Sequence, residues 1–120
     1  MIKLTRELML KKLSAVFPDP VVADNALKDL DRLANAVEPA ALDGVQLAVL
    51  KLSDGEIWLL RDWIKAARED FEMVLSQARE PERFDYLRGK ALKKNGAQTA
   101  AARTEMQKRD QRQWVEWLKG

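Results

Sequence analysis

The sequence predicts an all-α protein: a single-domain bundle of five to six helices, with a long central helix, spanning residues 1–120. Three observations carry this expectation. Apolar residues recur at spacings of three and four in almost every segment. No run of about four to eight residues combines strict alternation with β-branched enrichment, so no sheet is expected. The composition, 47% hydrophobic and 33% charged with only five Gly and four Pro, is that of one compact domain. A chain of this length buries roughly two-thirds of its unfolded surface, enough to fold without cross-links.

The first helix is expected from about Thr5 to Phe17, with Met9, Leu13 and Val16 or Phe17 inward, and Pro18 and Pro20 end it. The second begins near Pro20 or Val21 and carries Ala23, Ala26, Leu27, Leu30, Leu33, Ala34 and Val37 at helical spacing through to Val37. The third opens on Pro39, a residue suited to a first helical position, and runs to about Leu52. Gly44 costs it about 1 kcal/mol relative to Ala. In SDGE, Ser53 and Glu56 have the spacing of a reciprocal capping box, which predicts the start of the fourth helix.

From there to Arg79 no Pro or Gly follows Gly55, so the fourth helix is expected to run about 25 residues and about 37 Å as a central strut. Leu59, Leu60, Trp63, Ile64, Ala67, Phe71, Val74, Leu75 and Ala78 share one stripe and predict its core face. Trp58, five residues before Trp63, points about 140° away from it. It falls among Asp62, Lys65, Glu69, Glu72 and Ser76, with Met73 at the margin. A short fifth helix is expected after Pro81, with Phe84, Leu87, Ala91 and Leu92 inward and Gly96 as its left-handed cap. The terminal segment, residues 97–120, has a thin stripe of Ala100, Thr104, Gln107, Gln111, Trp114 and Leu118, with Val115 beside it. That predicts a helix docked through its C-terminal tryptophans and mobile in its middle.

Chemistry is narrowed by what the composition lacks. Zero His and zero Cys remove disulfides, thiolate metal sites, the commonest general base and the familiar nucleophile pairs. Carboxylate clusters at Glu69, Asp70 and Glu72, and at Asp24, Asp29 and Asp31, would suit magnesium only if they projected inward from two helices. Their spacing from Lys65, Arg68 and Lys28 reads instead as charge balance on solvated faces. The RGK at Arg88 to Lys90 lacks the glycine and the hydroxyl residue of a phosphate loop. No catalytic residue, metal or cofactor is expected, and the protein is read as a non-enzyme.

Two surfaces stand out. Trp58, Asp62, Met73, Trp114 and Trp117 are protein-interface candidates. Trp114 and Trp117 could fold back to cover Trp58 within the chain, or the face could meet a second copy or another protein. The other surface is a basic stripe of Arg83, Tyr86, Lys90, Lys93 and Lys94, in the part of the chain, residues 80–120, that holds ten basic and six acidic residues. This is the footprint of weak, salt-dependent polyanion or nucleic-acid binding. A solvated lysine face beside a helix C-terminus, where cations are favoured, is the plainer reading. The charges in MIKLTRELMLKKL break any run long enough for a signal sequence or span, which predicts a cytoplasmic protein with no membrane contact.

The run VQLAVLKLSDGEIWLLRDWIKAAREDFEMVLSQAREPE, Val45 to Glu82, resembles short all-helical bacterial proteins of unknown function. The shared pattern is VQLAxLKLxxG, then a leucine-rich amphipathic helix, a break and a terminal W-L end. The resemblance implies helical packing and assigns no catalytic or binding residue. Together these readings predict a non-catalytic interaction or regulatory module acting as a homodimer, with polyanion binding as the alternative.

Overall fold

The computed structural model describes residues 3–80 and 100–120, with side chains placed for 3–80 and 107–120. Its described residues are helical, as predicted, and no strand occurs among them. The elements are α1 (Arg6–Val16), α2 (Pro20–Asp31), a 3-10 turn (Arg32–Asn35), α3 (Pro39–Ser53), α4 (Ile57–Arg79) and α5 (Ala100–Lys119). The short helix expected after Pro81 lies outside the described residues. Chain contacts gather into two compact units, Met1–Leu75 and Ser76–Gly120.

In the first unit the helix starts follow local chemistry. The Thr5 hydroxyl accepts from the Leu8 N–H at 3.2 Å, and the Asp19 carboxylate accepts from the Val21 and Val22 N–H groups at 2.8 and 3.3 Å. Pro20 and Pro39 open α2 and α3, where their missing N–H groups leave no intrahelical bond unmade. The second helix ends earlier than its apolar spacing predicts. Arg32–Asn35 tightens to 3-10 geometry, which keeps Leu33 and Val37 buried and turns Ala34 outward.

The core centres on α3, which packs against α1 and the 3-10 turn. Every residue from Gly44 to Leu50 is buried, so this helix is enclosed around its circumference through two turns. Met9, Leu13 and Phe17 from α1, Ala26 and Leu30 from α2, and Leu60, Ile64, Ala67 and Val74 from α4 are buried as well. Gln46 sits among them fully buried. Its Nε2 donates to the Leu30 carbonyl at 2.9 Å, tying α3 to the last turn of α2, while its Oε1 has no partner among the described residues.

Two expectations about α4 are corrected. SDGE is a boundary, but Ser53 closes α3: its hydroxyl donates back to the Leu50 carbonyl at 2.6 Å and the capping box does not form. Asp54 and Gly55 then take positive φ values of 51° and 77°, and Glu56 supplies the carbonyl that receives the Leu60 N–H. At Gly55 a Cβ would also stand 3.5 Å from the Val16 carbonyl oxygen, so the turn approaches the end of α1 closely.

The continuous strut is also interrupted. Asp70 leaves helical geometry at φ −154° and ψ 86°, and its carboxylate accepts from the Met73 N–H at 3.2 Å. Asp70 therefore acts as an N-cap inside the run, starting a second helical stretch after its own residue. Leu60, Ile64, Ala67, Val74 and Ala78 are buried as the stripe predicts, but Leu59, Trp63, Phe71 and Leu75 are only half-buried. Asp70→Ala is expected to lower the unfolding free energy by about 1 kcal/mol, and Asp70→Asn to stay near wild type, as read by urea denaturation. Equal losses in both would contradict the cap.

In the second unit, α5 buries Asp110, Trp114 and Leu118, successive residues four apart. Trp114 and Leu118 were expected inward. Gln107 and Gln111 are exposed, and Asp110 takes the inward position that the apolar pattern could not assign to a carboxylate. The Trp114 and Trp117 rings stack with centroids 5.7 Å apart and planes at 18°, and the Arg79 guanidinium lies 5.7 Å from the Trp114 centroid.

Candidate functional site

Two features of the first unit are open to a partner. One is the outer side of α4. Trp58 is 60% exposed and Asp62, one turn on, is exposed beside it. Lys65, Glu69 and Glu72 are exposed too, so the polar face is placed as the sequence predicts. Met73 lies beyond the break at Asp70 and is half-buried, so the continuous register that associated it with Trp58 does not hold. Trp114 is buried and Trp117 half-buried in the second unit, where their rings stack. Val21 and Leu10 are the other large apolar side chains left exposed among the described residues.

The second feature was not singled out from sequence. Asp29, Arg32, Arg61, Ile64, Lys65 and Arg68 line a concavity of about 410 Å³. The Asp29 side chain is 12% exposed and organises the site: Arg61 Nε donates to its Oδ2 at 3.0 Å, and Arg32 Nη1 stands 3.6 Å from its Oδ1. Asp29 was expected on a solvated acidic face, but it is buried, and the reason is this pairing across 32 residues of chain. Arg61, Lys65 and Arg68 follow one another at helical spacing, which was the available signal. Arg32 and Asp29 join them only through the packing of α4 beside the end of α2.

The charge balance expected along the helices is realised in part. Lys28 pairs with Asp24 at 3.4 Å, whereas no ion pair joins Lys65 to Glu69 or Arg68 to Glu72. The break at Asp70 falls between Arg68 and Glu72 and removes the one-turn geometry that such a pair needs. Asp31 receives two hydrogen bonds from Arg6, at 3.0 and 3.3 Å, and this hydrogen bonding, with the Asp31 charge, raises the Arg6 pKa above its ordinary value. Burial, followed by the charge of Lys11, lowers that of Lys12.

Each acid of the second helix thus faces a cation, which disfavours a shared metal there. Among the described residues no group of three carboxylates lies close enough to hold one. Arg83, Tyr86, Lys90, Lys93 and Lys94 lie outside the described residues. No helix among those described is long and apolar enough to cross a membrane.

The described fold and surfaces define a helical protein with an open aromatic face and a basic concavity. Comparison with protein-family models, curated proteins and solved structures finds no match, so the functional reading rests on these side chains.

Proposed function

We propose that this protein is a non-catalytic helical interaction module that self-associates as a homodimer through the outer face of α4. The observation that carries the reading is Trp58, which keeps 60% of its surface open on a helix whose opposite side is buried. An indole offers a large apolar area at low entropic cost, and tryptophans are enriched at the centres of protein interfaces. Arg61 and Asp62 give the face charges of both signs beside the indole, which suits an isologous contact in which the same patch meets itself. The lack of His and Cys in the composition is in keeping with a role that needs no nucleophile or proton shuttle.

Light scattering coupled to size exclusion tests this. Wild type is expected at twice the 13.7 kDa chain mass, and Trp58→Glu at the chain mass with unchanged helicity. A wild-type protein that stays at the chain mass up to about 0.1 mM, well above the concentrations of micromolar association, would overturn the proposal.

A further inference from the structure

The geometry points to the Asp29–Arg32–Arg61–Lys65–Arg68 concavity as a binding site for a small ligand carrying two phosphate groups. Four cations and one carboxylate line it, and the carboxylate is already engaged by Arg61 and Arg32. The site keeps a surplus of positive charge, and Lys65 and Arg68 make no ion pair among the described residues. Like charges gathered in a concave, partly apolar surface repel one another and focus their field on whatever anion enters.

Preorganisation favours a specific ligand over diffuse attraction. Asp29 is nearly enclosed and holds Arg61 by its Nε, so the guanidinium is oriented while its terminal nitrogens make no hydrogen bond among the described residues. Oriented guanidinium forks match phosphate oxygens bidentately, and less entropy is lost when they bind. Ile64, buried to 7% exposure, gives the site an apolar wall.

Size and charge set the ligand class. The volume of about 410 Å³ falls within the range of small-molecule sites. The three cations that α4 contributes, Arg61, Lys65 and Arg68, carry more positive charge than the about −2 of one phosphate group balances. A diphosphate or bisphosphate compound meets all three, with Arg32 closing the other side. The site borders the Trp58 face and shares Arg61 and Lys65 with it, but its test reads phosphate binding and not self-association.

Calorimetric titration with inorganic pyrophosphate, at low salt and on the full chain, is the test. Pyrophosphate is expected to bind saturably, and at least about tenfold more tightly than inorganic phosphate. Lys65→Ala/Arg68→Ala removes two exposed side chains, so its helicity should be unchanged, and it is expected to weaken pyrophosphate by about tenfold or more. Lys108→Ala/Arg112→Ala makes the same change in net charge on α5 and is expected to leave the affinity within about twofold. Equal weakening by both pairs, or no saturable binding of pyrophosphate up to about 10 mM, would overturn the site. So would a short single-stranded oligonucleotide that binds through Lys65 and Arg68 when pyrophosphate does not, since that would assign the cations to a polymer backbone.

Discussion

Leu47→Ala is expected to lower the unfolding free energy by about 3–5 kcal/mol, the largest loss from any single truncation considered for this chain. Leu47 is fully buried at the middle of α3, inside a run of six consecutive buried residues from Val45 to Leu50. Truncating it removes apolar transfer energy and leaves a void that the enclosing helices cannot fill without moving. The site has no solvent side into which the chain could relax, because its neighbours along the helix are buried as well. Denaturant unfolding read by far-UV circular dichroism gives the number. Val21→Ala is the natural control: it truncates an apolar side chain that is 70% exposed on α2, away from the Trp58 face, and should change stability by no more than about 0.5 kcal/mol. If the two losses were equal, the assignment of α3 as the centre of the core would be wrong.

Gln46→Ala is expected to cost about 2–4 kcal/mol, and Gln46→Met no more than about 1 kcal/mol. The amide of Gln46 is entirely buried, donates to the Leu30 carbonyl at 2.9 Å, and leaves Oε1 without a partner among the described residues. Alanine would lose both the packing and the hydrogen bond to the Leu30 carbonyl, which keeps the Arg32 N–H as a donor. Both substitutions remove the buried oxygen, whose desolvation offsets part of the lost hydrogen bond, and methionine alone keeps the volume. Urea unfolding of the pair separates the two contributions. A methionine variant as unstable as the alanine variant would show that the Leu30 hydrogen bond, and not the volume, holds α3 against α2.

Where the sequence was misread, two local options competed. At SDGE, a serine and a glutamate three residues apart fit an N-terminal cap, yet Ser53 ends the preceding helix because Asp54 and Gly55 turn the chain through positive φ. At Asp70, a carboxylate among helix formers looked like one member of a solvated face. It instead bonds the Met73 N–H and breaks the helix, the alternative that short polar side chains offer the backbone.

Apolar periodicity and the prolines at helix starts were enough, by themselves, to determine the all-α class, the starts of α1, α2 and α3, the burial of Leu60, Ile64, Ala67, Val74 and Ala78 on α4 and the outward direction of Trp58. These are local properties, set by 3.6-residue geometry and by caps within a few residues. Only tertiary structure decided that Asp29 is buried, that Gln46 is enclosed and tied to Leu30, and that Arg32 meets Arg61, Lys65 and Arg68 around one concavity. The reason is distance along the chain: Asp29 and Arg61 stand 32 residues apart, and their contact comes from how α4 packs, which no spacing rule within a helix encodes.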